Sequence, residues 1–178
     1  FHAFETMAKA LNGCTKRCVI SFIDLYEKTR RNFPKAKRVE RKDRIAIGKE
    51  FVKIGKKNGI QIMTCCEGTE LEPYGADCGG CMRQDVIEQA IGEYLEVPSR
   101  GKMIREGCRC LLGADIGAYN TCGHGCIYCY ANYDQESVSW NRKLHDPSSP
   151  LLIGRLNPGD TVQEAKQETY IDPQLRLF

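Results

Sequence analysis

Apolar residues follow two periods along this chain, one helical and one typical of short buried strands. The helical period predicts four amphipathic helices, over residues 1–12, 39–58, 84–95 and 132–144. Short apolar runs at 19–23 and 60–64 predict buried strands, and 111–120 is strand-like. Helices that alternate with strands, with glycine at the junction, are the units of an α/β fold, which is the class we expect.

The predicted helices have recognisable ends and buried sides. Gly13 and Gly59 follow the first two helices, where glycine commonly ends a helix in the left-handed conformation. In the last helix we expect Val138 and Trp140 to be buried. The chain begins at Phe1, without Met and inside a predicted helix, so we expect it to be the C-terminal piece of a longer protein.

Composition places the chain among ordinary globular proteins. Its 178 residues are 42% hydrophobic and 28% charged, and no run approaches 18 apolar residues, so we expect a cytoplasmic protein with no membrane partner. The net charge of +3 is uneven, because residues 27–57 hold thirteen Lys or Arg against four acids. This basic stretch could bind nucleic acid, but a solvated helix face explains it more simply.

The unusual feature of the composition is its eleven cysteines. An odd number of closely spaced cysteines, in a chain with no sign of secretion, indicates metal binding rather than disulfides. Cys14 and Cys18 are expected to be exceptions, acting as small hydrophobic residues beside the first strand.

Three cysteines, Cys122, Cys126 and Cys129, are spaced C-x3-C-x2-C in a loop that contains glycines. Three thiolates this close together can hold three irons of a four-iron, four-sulfur cube and leave the fourth iron open. A zinc site is the alternative, with His124 as the fourth ligand, although the bend of the loop should turn that histidine outward.

The loop resembles the signature of radical S-adenosylmethionine enzymes, C-x3-C-x-aromatic-C, with Tyr128 as the aromatic residue before Cys129. Residues 124–131 are similar to the variant found in spore photoproduct lyase-like proteins. From about Cys18 onward the chain more closely resembles the C-terminal part of a prokaryotic domain family of unknown function, which carries such cysteines near its C-terminus. The matching segments are 19–24, 108–110, 115–117, the cysteine loop and 145–152.

The resemblance implies a [4Fe-4S] cluster on Cys122, Cys126 and Cys129, with S-adenosylmethionine on the open iron. It also implies an electron donor, an unknown substrate and a position for Tyr128 near the adenine or the cluster, and it identifies no catalytic residue. The implied fold is a partial or permuted TIM-barrel-like arrangement of βα units over residues 1–100, as the C-terminal half of a barrel. A cysteine-rich metal-binding region over 101–178 follows.

A second site is expected where Cys65, Cys81, Cys108 and Cys110 converge as four thiolates, holding zinc or another cluster. All four lie in connections between elements, and the family resemblance supports them more than Cys66 and Cys78. Scattered reduced thiols are the alternative here. For the whole protein, the alternative to a radical S-adenosylmethionine enzyme is a non-catalytic module. Such a module would be held together by zinc or an iron–sulfur cluster and would have a structural or electron-transfer role.

Overall fold

The computed structural model of the chain describes residues 1–97, 108–111, 117–166 and 169–173. The chain divides into two compact units. The first consists of Phe1–Ile23, Val39–Gly113 and Glu168–Phe178, and the second of Asp24–Arg38 and Ala114–Gln167.

The first unit is built on a small parallel sheet. Strand β1, Arg17–Ile20, pairs in parallel with β2, Gln61–Thr64, in the register Arg17↔Gln61 to Ile20↔Thr64. Neighbouring parallel strands need a long crossover connection, and helix α3 (Arg41–Lys57) lies within the chain that joins these two. Asp77 extends the sheet locally, because its N–H donates to the Ile62 carbonyl at 2.8 Å and its carbonyl accepts from the Thr64 N–H at 2.9 Å.

The helices of the first unit follow the predicted pattern with shorter bounds. They are α1 (His2–Ala10), α3 (Arg41–Lys57), a short 3-10 turn (Glu72–Tyr74) and α4 (Gln84–Ile91). Helix α4 ends before the predicted residue 95, because Gly92 takes the left-handed conformation with φ +75° and its N–H caps the Glu88 carbonyl.

The core of the first unit lies between α1, α3 and the sheet. Ile62 and Met63 are each only 1% exposed, and burying an aliphatic side chain of this size contributes about 2 kcal/mol. Gly55 lets α3 approach β2 closely, since a Cβ at this position would lie 2.5 Å from the Ile60 carbonyl oxygen. Phe4 of α1 stacks on Phe51 of α3 at 4.2 Å between ring centroids.

The second unit contains two helices and the cysteine loop. Helix α2, Glu27–Asn32, was not predicted, because its six mostly charged residues have no apolar period. Helix α5, Gln135–Leu144, begins at Asp134, whose carboxylate accepts from the Ser137 N–H at 2.7 Å. Val138 is buried as predicted, whereas the prediction for Trp140 is wrong, since 62% of that residue is exposed.

The architecture is therefore a mixed helix and strand fold with a two-stranded parallel sheet. The described residues do not show a closed barrel. The boundary predicted near residue 100 stays a prediction, and 98–107 lie outside the described residues, as do 112–116 of the predicted strand at 111–120. Within the described ranges, no helix is both long and apolar enough to span a bilayer.

The close contact at Gly55 generates a stability prediction. Gly55→Ala should destabilise the protein by about 2 kcal/mol, because the new methyl group would meet the Ile60 backbone, which cannot move away without disturbing β2. Denaturant unfolding followed by circular dichroism measures this change. Lys53→Ala on the same helix is the control, since its side chain is 76% exposed and should change stability by under about 0.5 kcal/mol. Equal midpoints for the two variants would contradict the prediction.

Candidate metal centres

Three cysteine sulfurs meet in the first unit. The Sγ of Cys81 lies 3.4 Å from that of Cys65 and 3.3 Å from that of Cys110. All three sulfurs lie within 4.8 Å of one another, and each residue is partly buried. We call these three residues the thiol cluster. Among the described residues they form the one such group of Cys, His, Asp and Glu.

The end of β2 positions the first member of the thiol cluster. Cys65 directly follows Thr64, the last residue of the strand, so the parallel sheet fixes the place where its side chain begins. Cys66 then takes a left-handed backbone conformation with φ +55°, which is uncommon outside glycine and turns the chain sharply. Glu67 anchors the turned segment by accepting a 2.8 Å hydrogen bond from the Phe22 N–H.

A forked ion pair positions Cys81. Arg83 donates to both carboxylate oxygens of Asp77, at 2.7 and 2.8 Å, and also to Asp85 at 2.6 Å. Its guanidinium lowers the pKa of the Asp77 carboxyl, and the hydrogen bond from the Gly79 N–H adds to this effect. Since Asp77 is itself bonded to β2, the pair ties the loop that carries Cys81 to the same strand that precedes Cys65.

Two contacts place Cys110 beside that loop. The Leu111 N–H donates to the Met82 carbonyl at 2.7 Å, one residue beyond Cys110 and one beyond Cys81. Gly80 has φ +109°, and a Cβ there would lie 3.3 Å from the Cβ of Arg109. A side chain at position 80 would therefore push the two segments apart, and glycine allows the two cysteines to meet.

Of the four residues predicted for the second site, the structure brings three together. Cys108 is the fourth, and it is buried, with 6% of its surface exposed. It is not part of the group of three, although it lies two residues before Cys110. Cys66 and Cys78 are not members either, although both line the cleft of about 220 Å³ beside the cluster. The sequence preferred Cys65, Cys81, Cys108 and Cys110 over these two, and that preference stays a prediction.

The thiols in the cluster cannot all ionise together without a cation. Burial, reinforced by the neighbouring Cys110 and Cys65 thiols, raises the pKa of Cys81 to about 12. Burial also opposes ionisation of Cys110, but hydrogen bonds from the Met82 backbone and from the Cys81 and Cys108 thiols lower its pKa overall. The Cys81 thiol is therefore protonated at neutral pH, and a bound cation would release the protons of the thiols that coordinate it.

The sulfur separations fit one metal ion better than a cluster. Four thiolates around a tetrahedral zinc, with Zn–S bonds of about 2.3 Å, lie about 3.8 Å from one another. The observed 3.3 and 3.4 Å are close to this value. In a cubic cluster each thiolate binds a different iron, which separates the sulfurs more widely.

The loop in the second unit is held by backbone and amide contacts. The Cys129 N–H donates to the Cys126 carbonyl at 3.0 Å, which closes a tight turn between these two cysteines. The Asn132 side chain donates to the Cys122 carbonyl at 2.6 Å. The Asn120 N–H donates to the Ala131 carbonyl at 3.0 Å, which joins the two ends of the loop. These bonds fix the backbone of a segment without regular structure that carries three cysteines.

The three loop cysteines are more open than the thiol cluster. Cys122 and Cys126 are exposed and Cys129 is half-buried, while Tyr128 is 55% exposed. They do not form a group within 4.8 Å, as ligands of one small ion would. Three cysteines in one open loop are the type of donor set that a four-iron cube with one accessible iron takes. His124 is exposed and belongs to no metal-ligand group among the described residues.

Two polar residues that sequence reasoning missed lie beside this loop. Lys28 and Asn132 line a cleft of about 220 Å³ together with Cys126 and Cys129. The Lys28 Nζ and the Asn132 Oδ1 are shielded from solvent, and neither has a hydrogen-bond partner in the described part of the chain. Asn132 could have been noticed from its place three residues after Cys129, but nothing distinguishes Lys28 within the basic stretch.

The Arg83–Asp77 pair generates a second prediction. Arg83→Met should lower the stability of the metal-free protein by about 2 kcal/mol, because it leaves a half-buried carboxylate without its partner. It should also weaken zinc binding, since the loop that carries Cys81 loses its tie to β2. Denaturant unfolding and zinc titration measure the two effects. Lys16→Met, at an exposed lysine of the same unit, should change neither, and wild-type values for Arg83→Met would refute the role of the pair.

Comparisons with known proteins place the chain in a family. Neither the curated proteins nor the solved structures gave a match. The family described as Domain of unknown function (DUF1848) matches residues 1–131. This match covers both strands, the thiol cluster and the three loop cysteines, which is well over half of the chain. The protein therefore belongs to the DUF1848 family.

Proposed function

We propose that this protein is a metalloprotein with two thiolate sites, one structural and one catalytic. The thiol cluster of the first unit binds a single metal ion, and the cysteine loop of the second unit binds a [4Fe-4S] cluster in a radical-SAM-like enzyme. The observation that carries the proposal is the convergence of the Cys65, Cys81 and Cys110 sulfurs within 4.8 Å, because three thiolate donors at this spacing can bind one metal ion.

Zinc is the ion that suits the thiol cluster best. A site built only from sulfur, with tetrahedral spacing, favours zinc or iron over magnesium or calcium. Cys108 supplies the fourth thiolate, because it is buried and lies two residues before Cys110 in the same segment. Four protein ligands close the coordination sphere, which is the arrangement of structural rather than catalytic zinc sites.

In the second unit, Cys122, Cys126 and Cys129 hold the cluster, and the resemblance to radical S-adenosylmethionine enzymes supports this assignment. When bound, the cluster supplies the electron that cleaves the sulfonium of S-adenosylmethionine and releases a 5′-deoxyadenosyl radical. Asn132 positions Cys122 by donating to its carbonyl, and the exposed ring of Tyr128 would be available to the adenine or the cluster. The exposed loop is open to an electron donor, and the substrate is not specified by these residues.

The barrel-like fold of the first unit and the cellular location of the protein are part of the same proposal. The β1–α3–β2 arrangement is the repeating unit of a TIM-barrel-like fold, and we place it in the C-terminal half of a partial or permuted barrel. All eleven cysteines are free of disulfides, and both sites need reduced thiols, which the cytoplasm maintains.

A non-catalytic module is the second candidate function. The sulfur separations in the thiol cluster, which are close to those of a tetrahedral zinc site, favour this module. A structural zinc site requires no catalysis in the second unit. In that case the loop cysteines would bind zinc or carry electrons without S-adenosylmethionine.

Zinc binding to the thiol cluster is the first test. The protein should bind one zinc tightly at Cys65, Cys81 and Cys110, and Cys81→Ser should weaken this binding by at least about 100-fold. Because ionised thiolates are the ligands, lowering the pH by one unit should weaken the apparent affinity by about tenfold for each proton released. Competition with a chromophoric chelator at several pH values measures both effects.

The matched controls lie in the same cleft and on the surface. Cys78→Ser changes a cysteine of the same cleft that is outside the thiol cluster, and Cys14→Ser changes an exposed cysteine. Both variants should keep wild-type affinity at this site. If Cys81→Ser binds as tightly as Cys78→Ser, the thiol cluster is not the zinc site.

Anaerobic reconstitution tests the catalytic site. The wild-type protein should take up about four irons in the loop and absorb broadly near about 400 nm. Its electron paramagnetic resonance signal should change when S-adenosylmethionine is added, and reduction should give 5′-deoxyadenosine. Cys122→Ala, Cys126→Ala and Cys129→Ala should each lose the cluster, whereas Cys14→Ala should keep it.

The outcomes separate the two candidate functions. A cluster whose signal does not respond to S-adenosylmethionine, with no 5′-deoxyadenosine, would establish the electron-transfer module instead of the enzyme. Zinc in both sites of anaerobically prepared protein, with no uptake of iron, would establish the structural module.

A further inference from the structure

The side chain of Lys28 is in an unusual position for a lysine. It projects from α2 into the cleft that Cys126 and Cys129 also line. Its Nζ is shielded from solvent and has no hydrogen-bond acceptor among the described residues. Lysines are almost always exposed unless paired, and a buried ammonium without an acceptor costs several kcal/mol.

The neighbours of Lys28 offset only part of this cost. The ammonium lies over the Tyr133 ring, 5.1 Å from its centroid, which is a favourable cation–π distance. Asp134 attracts the ammonium electrostatically, but the carboxylate of Asp134 already accepts hydrogen bonds from another residue. One of its oxygens accepts from the Ser137 N–H at 2.7 Å and the other from the Ser137 hydroxyl at 2.9 Å, so this acid caps α5.

The sulfurs of Cys126 and Cys129, which line the same cleft, are the groups that could accept hydrogen bonds from the buried ammonium once they are ionised. A four-iron core with three thiolates carries net negative charge, and reduction by one electron adds another negative charge. A positive charge and an N–H donor beside the sulfurs stabilise the reduced form more than the oxidised form, so they raise the reduction potential.

We propose that Lys28 is the charge-compensating residue of the loop cluster, which its ammonium stabilises in the reduced state. This inference rests on the proposed cluster at Cys122, Cys126 and Cys129. Lys28 is a positioning residue in this role, because it acts on the potential of the cluster and touches no reacting substrate atom. Its burial excludes water from the ammonium and so strengthens its interaction with the cluster.

Lys28→Met is the variant that tests the proposal, because it removes the charge and keeps an unbranched side chain. In the reconstituted protein it should lower the reduction potential, decreasing the ratio of reduced to oxidised cluster about tenfold at a fixed applied potential, which equals about 59 mV. Potentiometric titration followed by electron paramagnetic resonance measures this shift. Lys28→Arg keeps the charge and should restore most of the wild-type potential. Lys35→Met, at an exposed lysine of the same unit, should have the wild-type potential.

The cluster-free protein gives an independent readout. Without the cluster, Lys28→Met removes a buried charge that has no acceptor, so the metal-free variant should be at least as stable as wild type. A purely structural role for Lys28 predicts the reverse, with loss of stability and an unchanged potential. Either of those two results would overturn the inference.

Failure of the proposed function is separately visible. If the wild-type protein takes up no cluster, then the cofactor assignment and this inference both fall. If wild type and Lys28→Met take up equal amounts of iron and have equal potentials, only the role of Lys28 is wrong.

Discussion

The contact between three sulfur atoms at the end of β2 is the constraint on which the first unit depends. Thiols at 3.3 and 3.4 Å cannot all be ionised, because adjacent thiolates repel each other in a partly buried site. The surrounding chain nevertheless holds them there, through the Arg83–Asp77 pair and the close approach at Gly80. Protonated thiols tolerate this contact, and a divalent cation would convert it into coordination by thiolates. Metal binding there would be coupled to the folding of this unit, because one ion would hold three separate segments together.

Much of the fold could be predicted from the apolar pattern, and the differences have local physical causes. The α1, α3 and β2 elements were found because each presents one apolar side to a common core, whereas α4 was found from its period although none of its residues is buried. Helix α2 was missed, because a six-residue charged segment gives no period and is defined by its surroundings in the second unit. Trp140 was expected to be buried from its place near Val138, but a helical period has several residues at the edge of its apolar face.

The candidate sites were predictable to the extent that their ligands are close in sequence. The spacing of Cys122, Cys126 and Cys129 contains the whole motif within eight residues, so the pattern is visible before any fold is known. The thiol cluster joins residues up to 45 positions apart, and only the chemistry of cysteine and its place in connections suggested it. Lys28 could not have been predicted, because it lies about a hundred residues before the loop and is one of thirteen basic residues in its stretch.

The two sites differ in the charge state that their surroundings favour, and this difference supports separate roles. In the thiol cluster, burial and mutual hydrogen bonds keep Cys81 protonated until a cation binds, and the bound ion is then enclosed by thiolates. A closed, neutralised site resists exchange and suits a structural ion. The loop site has two exposed cysteines, an open side and a buried ammonium that favours added negative charge. A site that accepts an electron needs this combination of access and electrostatic compensation, which is why the proposed chemistry is assigned to the second unit.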